Sequence, residues 1–243
     1  MLPSTPMNGR GHLSWSCDAH TAGDLYRRRF AGAAGALIVA RQNDLLLSLL
    51  GGVAGGSVLD VGAGHGQLAG SLLGAGARLT AYGSSAAALA RLRPLGVPLV
   101  VGPLAPLPFQ GRSFDFVVSV RAFPHVPDWR RFLSELCRVA RIAVGFDFVP
   151  RGPAAALKPL AFRLKMSREP GTRDYTMQRR GEVEEAARAC GFRWKAAEGQ
   201  FILPLVLHRA AGSALMPVER LARRLRLVRS IGGPLIAVIE RES

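Results

Sequence analysis

A glycine-rich turn between an apolar strand and a helix is the feature that most restricts how this sequence folds. Residues 57–61 are mostly apolar but include Asp60, and glycines then follow at positions 62, 64 and 66. Glycine lets the backbone turn tightly and approach a ligand without a Cβ in the way. The free N–H groups of the following helix favour negative charge on that ligand. The turn therefore predicts a loop that binds a carboxylate or a phosphate.

The rest of the chain alternates short apolar runs with amphipathic segments, which is typical of βαβ units and a parallel sheet. Helices are predicted at 24–50, at 129–139 after Pro127–Asp128, and at 182–190 before Gly191. We predict an α/β fold with a doubly wound, mostly parallel seven-stranded sheet and helices on both faces. The predicted strands are 57–61, 78–82, 98–101, 114–120, 142–148, 201–207 and 234–239.

The glycine spacing identifies the kind of loop. The dinucleotide fingerprint G-x-G-x-x-G requires glycine where Gln67 stands. Asp60-Val61-Gly62-Ala63-Gly64-His65-Gly66 instead resembles motif I of the class I, Rossmann-like S-adenosylmethionine-dependent methyltransferases. Further motifs that resemble this family follow in the family's order over roughly residues 24–240. They are Leu107-Pro108-Phe109 with Ser113-Phe114-Asp115, Phe123-Pro124-His125-Val126, Leu136-Cys137-Arg138-Val139 and Ala189-Cys190-Gly191-Phe192.

The resemblance implies a methyltransferase whose cofactor is S-adenosylmethionine, with the glycine loop around the amino-acid end of that cofactor. It implies no metal. The residues expected to bind the cofactor are Asp60, Gly62, Ala63, Gly64, His65, Gly66, Gly83, Ser84, Leu104 and Val120.

Two acidic residues of the family pattern are missing from this sequence. Gly83 stands where an acid at the end of the second strand usually holds the ribose hydroxyls, and Pro103 replaces a second acid near the adenine. Losing hydrogen bonds to a charged partner weakens binding about tenfold to a hundredfold. Ser84 or Ser85 could partly substitute as neutral partners. The alternative is a vestigial module that no longer binds the cofactor, or binds it without catalysis.

Residues after the fourth and fifth strands are the candidates for catalysis, because reacting groups in open α/β sheets lie beyond the carboxyl ends of the strands. These candidates are Arg121, His125 and Asp147. His125 could act as a base near neutral pH or simply stand at a helix entry. Arg121 could orient an anionic acceptor or pair with an acid, and Asp147 could cap a loop.

The acceptor is predicted only by class. The net charge is +15, but nearly all of it comes from arginine, with lysine only at 158, 165 and 195. We expect a small acceptor that is anionic or resembles a lipid headgroup, and RNA is the alternative. Residues 149–180 and 208–232 are expected to form insertions over the acceptor site, the second including a basic amphipathic helix at 217–229. Residues 26–30 are expected to close over the cofactor.

The domain organisation follows from the same patterns. Residues 1–23 are expected to be loose and 24–243 to form the methyltransferase domain. Cys17, Cys137 and Cys190 are odd in number and lack metal-ligand spacing, which favours a reducing cytoplasm. No apolar run reaches the ~18 residues of a membrane span, and no secretory signal is expected. The sequence does not indicate an oligomeric state.

Overall fold

A computed structural model describes residues 15–18, 32–151, 175–201, 215, 217–219, 221 and 233–242. Its helices are α1 (Gly32–Leu50), α2 (Ala69–Gly74), α3 (Ala86–Leu89), α4 (Trp129–Val139) and α5 (Arg180–Ala189), with 3₁₀ turns at Ala90–Leu95 and Phe123–His125. Its strands are β1 (Ser57–Val61), β2 (Arg78–Gly83), β3 (Leu99–Val101), β4 (Phe114–Ser119), β5 (Ala140–Phe148), β6 (Phe192–Phe201) and β7 (Gly233–Arg241).

The strands form one seven-stranded sheet in the order β3-β2-β1-β4-β5-β7-β6. The first five are parallel, and β7 runs antiparallel to both β5 and β6. The predicted doubly wound, mostly parallel sheet is therefore confirmed. The strand order reverses between β1 and β4, and ligands of such sheets bind in the crevice beyond the carboxyl ends at this point.

Helices cover both faces of the sheet because side chains alternate along each buried strand. Leu46 of α1 and Leu72 of α2 pack on the face that carries Val58 and Val118. Phe132 and Leu136 of α4 pack on the opposite face with Leu59 and Val117 of the same two strands. Strands that are buried on both faces read as continuous apolar runs, and six of the seven predicted strands match strands of the structure.

Helix ends agree with their sequence signals. Asp128 caps α4 by accepting a hydrogen bond from the Arg131 amide at 3.0 Å. Gly191 has a φ of +75° just beyond α5, as a glycine at a helix end requires. No described helix has the length and apolar character of a membrane span.

The predicted sixth strand, 201–207, overlaps β6 (Phe192–Phe201) only at Phe201, and residues 202–207 lie outside the described residues. The apolar run 201–207 was the basis of that prediction. Within the described residues β6 is an edge strand that pairs with β7 alone, and its middle is mostly half-exposed. The other strand ends differ from prediction by at most two residues. The following predicted segments lie outside the described residues: 24–31, which includes 26–30, the larger part of insertion 149–180 (152–174), and most of 208–232, including the predicted basic helix apart from 217–219 and 221.

Candidate functional site

The glycine turn after β1 forms a tight loop at the carboxyl edge of the sheet. Gly62, Gly64 and Gly66 have φ values of +76°, +51° and +72°. A Cβ on Gly62 would lie 2.9 Å from the Cβ of Ala122, and one on Gly66 only 2.3 Å from Cδ2 of Leu92. Glycine at these two positions is therefore required by both the backbone conformation and the space.

Backbone hydrogen bonds hold this loop in place. The amides of Gly62 and Ala63 both donate to the carbonyl oxygen of Tyr82 at the end of β2, at 2.9 and 3.1 Å. The amide of Gly66 donates to the carbonyl of Ala63 at 2.9 Å and closes the turn. The loop is preorganised by its own backbone, so its shape does not depend on a bound ligand.

A cleft lies between this loop and the turn after β4. It is lined by Asp18, Gly62, Ala63, Gly64, His65, Gln67, Val120, Arg121 and Ala122. Most of the predicted cofactor loop is thus brought together with Val120 and with the candidate Arg121. The cleft encloses about 20 Å³, so we expect side chains such as His65 to move when a nucleoside-sized ligand enters.

Asp60 lies beneath the loop and is only 3% exposed. Burial raises the pKa of its carboxyl to about 7, and the positive charge of Arg121 acts in the opposite direction. A buried acid that titrates near neutrality responds strongly to any charge brought into the cleft. A ligand ammonium group would favour its ionised form.

Arg121 and Asp147 are joined through the backbone. The Arg121 amide donates to Oδ1 of Asp147 at 2.7 Å, and Arg121 has a φ of +66°. A positive φ is uncommon for a residue other than glycine and marks a strained turn of the kind found at functional sites. The buried Asp147 carboxylate thus holds the end of β5 to the turn after β4.

His125 ends the 3₁₀ turn Phe123–His125 and is half-buried, but it is not among the residues that line the cleft. The neighbouring Pro124 carbonyl accepts hydrogen bonds from the amide and hydroxyl of Thr176, at 2.8 and 3.2 Å. Two residues beyond Thr176, the Gln178 carbonyl accepts a hydrogen bond from the Arg151 amide at 2.8 Å. The two described ends of insertion 149–180 therefore meet beside His125 at the carboxyl edge.

Asp18, which the sequence analysis did not single out, lies against the end of β2. Asp18 is 3% exposed, and its Oδ2 accepts a hydrogen bond from the Ser84 amide at 2.7 Å. Ser85 is occupied as the cap of α3, since its Oγ accepts from the Ala88 amide at 3.2 Å. Leu104, fully buried, donates its amide to the Trp15 carbonyl at 3.0 Å. No sequence motif connects residues 15–18 with these positions.

A second, larger cavity of about 450 Å³ opens at the opposite, amino edge of the sheet. It is lined by Gly111, Arg112, Ser134, Cys137, Arg138, Ala189, Cys190 and Arg241. A hydrogen bond between the two thiols lowers the pKa of Cys190 to about 6 and raises that of Cys137. Within the described residues no group of His, Cys, Asp or Glu side chains is arranged to hold a metal ion.

Residues 59–143 match the family model described as a methyltransferase domain. No curated protein matches the chain at a significant level.

Solved structures share the fold. Magnesium protoporphyrin IX methyltransferase from Synechocystis, solved with bound S-adenosylhomocysteine, is 16% identical with a TM-score of 0.62; the match covers 90% of this chain and 94% of that one. A possible histamine N-methyltransferase from Thermotoga maritima is 16% identical with a TM-score of 0.63, covering 94% and 100%. The cyclase SpnF is 19% identical with a TM-score of 0.58, covering 83% and 80%. At these identities the likeness shows the fold alone.

Proposed function

We propose that this chain is a class I S-adenosylmethionine-dependent methyltransferase and that it transfers a methyl group to a small acceptor that is anionic or lipid-like. The observation that carries the proposal is the glycine loop. Its three left-handed glycines, two of which have no room for a Cβ, stand at the strand-order reversal above a buried aspartate.

Several features of the cleft fit S-adenosylmethionine. Gly62, Ala63 and Gly64 line the cleft, and Asp60 can balance a cationic group once it ionises. The hydroxyl Oγ of Ser84 is buried and makes no hydrogen bond within the described residues, so a ligand hydroxyl could satisfy it. When bound, the cofactor supplies an activated methyl group, and the protein aligns the acceptor and excludes water.

An anionic acceptor is supported by Arg121. Arg121 lines the cleft, and its backbone amide is held by Asp147. A guanidinium group binds a carboxylate or phosphate through two parallel hydrogen bonds. In this proposal Arg121 orients the acceptor, Asp147 positions Arg121, and His125 accepts a proton if the acceptor is a hydroxyl. His125→Ala should then lower turnover about a hundredfold without changing cofactor affinity.

Cofactor binding is tested first, by calorimetric titration with S-adenosylmethionine and S-adenosylhomocysteine. The variants are Asp60→Asn and, as a matched control, Asp115→Asn, a second buried aspartate at the opposite edge of the sheet. We expect micromolar binding by wild type and by the control, and at least tenfold weaker binding by Asp60→Asn. A folded wild type that binds neither ligand at millimolar concentration would contradict the proposal.

Methyl transfer is tested with S-adenosylmethionine labelled on its methyl group. The labelled cofactor is incubated with a small-metabolite fraction, anionic phospholipid vesicles and total RNA in separate reactions. Label in a small acid or in lipid supports the proposal. Ribonuclease-sensitive label would identify an RNA methyltransferase instead, and binding to RNA would then fall steeply as salt rises.

A second candidate is a module that binds the cofactor without transferring its methyl group. The observation in its favour is that the same fold occurs in the cyclase SpnF, so the fold does not by itself specify methyl transfer. Cofactor binding without label transfer in any of the three reactions would favour this candidate.

A further inference from the structure

We propose that Asp18 takes the place of the missing ribose-binding acid and holds the ribose hydroxyls of the cofactor. This inference rests on the proposed binding of a nucleoside cofactor. It adds a binding residue from outside the domain's motifs, delivered to the end of β2 by residues 15–18.

The short segment 15–18 is attached just beyond the carboxyl ends of β2, β3 and β4. The Trp15 carbonyl accepts from Leu104 after β3, Asp18 accepts from the Ser84 amide after β2, and the Cys17 thiol lies 3.9 Å from the Ala122 carbonyl after β4. Cys17 and Asp18 are each 3% exposed. The segment is therefore packed against this edge of the sheet, and Asp18 lies in the same cleft as Gly62 and Gly64 of the glycine loop.

Gly83 makes room for the Asp18 carboxylate. A Cβ built on Gly83 would lie 3.0 Å from Oδ2 of Asp18 and 2.9 Å from Cδ2 of Leu89. Gly83 is not among the glycines with positive φ, so its backbone does not require glycine. A side chain at position 83 would therefore press against the Asp18 carboxylate, and glycine leaves that space to Asp18.

The surroundings of Asp18 suit a pair of hydroxyl groups. Its carboxylate lines the same cleft as Gly62, Gly64 and Arg121. The buried Ser84 hydroxyl, which makes no hydrogen bond within the described residues, lies one residue beyond Gly83. A carboxylate accepts two hydrogen bonds and the serine hydroxyl can give or accept a third, which matches the vicinal hydroxyls of a ribose.

Tyr82, the residue before Gly83 in β2, is affected by Asp18. Burial and the negative charge of Asp18 together raise the pKa of Tyr82 to about 12. The Tyr82 hydroxyl stays neutral and donates to the Pro103 carbonyl at 2.7 Å. At the position of the second missing acid, the Pro103 carbonyl is thus held by a hydrogen bond from an uncharged hydroxyl.

The test compares S-adenosylhomocysteine with its 2′-deoxy and 3′-deoxy analogues by calorimetry on the full chain. The variant is Asp18→Asn, whose amide oxygen can still accept from the Ser84 amide and so keeps the segment attached. Asp44→Asn, an exposed aspartate on α1, controls for the loss of one negative charge. Thermal melting of each protein checks that it is folded.

We expect wild type and Asp44→Asn to prefer the ribose compound over the deoxy analogues about tenfold. Asp18→Asn should bind the ribose compound about tenfold to a hundredfold more weakly and discriminate less than about twofold. Unchanged affinity and discrimination in Asp18→Asn would overturn the inference, as would tighter binding, which would mean that Asp18 competes with the ligand. A folded wild type that binds none of the three compounds would instead contradict the proposed function.

Discussion

Two buried aspartates lie at opposite ends of neighbouring strands, and their pKa values are shifted in opposite directions. Asp115, at the amino end of β4, accepts 2.9 Å hydrogen bonds from the amide and hydroxyl of Ser57 and pairs with Arg141, and these hydrogen bonds lower its pKa. Asp60, at the carboxyl end of β1, has no hydrogen bond to its carboxylate within the described residues, and burial raises its pKa. The first is fully used by the fold, whereas the second remains available to a ligand.

The two edges differ in the same way. The amino-edge cavity is much the larger, yet two of its three arginines are engaged with backbone carbonyls: Arg138 with Leu107 and Phe109, and Arg241 with Cys137 and Ala140. The carboxyl-edge cleft is small but is lined by left-handed backbone at Gly62, Gly64 and Arg121, whereas among the residues that line the amino-edge cavity only Arg112 has left-handed backbone. Chemistry left unsatisfied by the fold, more than volume, distinguishes a ligand site.

The largest expected effect is the opposite pH dependence of the two aspartates. Because the folded protein keeps the Asp60 proton up to about pH 7 and the unfolded chain releases it near pH 4, the free energy of unfolding should fall as pH rises through this window. The expected change is on the order of 3–4 kcal/mol. Asp115, with its lowered pKa, should stabilise the fold above about pH 4 and lose this contribution on further acidification.

Urea unfolding from pH 3 to 8 measures these contributions in wild type, Asp60→Asn and Asp115→Asn. We expect the decline between roughly pH 4 and 7 to disappear only in Asp60→Asn. Loss of that decline in Asp115→Asn, with Asp60→Asn unchanged, would reverse the comparison.

The next effect concerns the glycine loop. Gly66→Ala places a Cβ against Leu92 and forces alanine into a left-handed conformation. We expect a loss of about 2–4 kcal/mol in the free energy of unfolding, together with weaker binding of S-adenosylhomocysteine. Gly70→Ala on α2 is the matched control, since its Cβ would meet no atom within 4 Å. Equal stability of the two variants would show that the loop tolerates a side chain.

A smaller effect is expected at the Arg121 turn. Asp147→Ala removes the acceptor of the Arg121 amide and should cost about 1–3 kcal/mol of stability, with weaker cofactor binding because Arg121 lines the cleft. Asp128→Ala, which removes the cap of α4, should cost about 1 kcal/mol and leave binding unchanged. If both variants bind the cofactor like wild type, Asp147 does not shape the cleft. Denaturant titration and calorimetry provide both readouts.

The smallest effect on ligand binding is expected at the amino edge. With a pKa of about 6, Cys190 should react with iodoacetamide at neutral pH, at a rate that is half-maximal near pH 6. Cys17 and Cys137 are buried and should react slowly. Labelling of Cys190, followed by mass spectrometry, should change S-adenosylhomocysteine affinity by less than about twofold. If the ligand protects Cys190 from labelling, the cofactor binds at the amino edge, and our placement of the cofactor at the carboxyl edge is wrong.

Local chemistry could be predicted from the sequence. Three kinds of feature depend on residues within a few positions of one another: the glycine turn, the cap at Asp128 and the strands β1 to β5. The periodicity of the apolar residues indicates which faces are buried. The same reasoning identified Gly83 and Pro103 as departures without finding what compensates for them. It missed most of the sixth strand because an edge strand with a half-exposed middle is less apolar than the run that follows Gln200.

The sequence by itself determined the order of elements and the glycine loop, and the resemblance of that loop to a family motif indicated the class of cofactor. Only the tertiary structure decided that Asp18 reaches Ser84, that Asp115 is satisfied by Ser57, and that Cys137 meets Cys190. These contacts join residues far apart in the chain, and no local pattern encodes them. They form because the parallel sheet gathers strand ends from distant segments at its two edges, where buried polar groups must find partners.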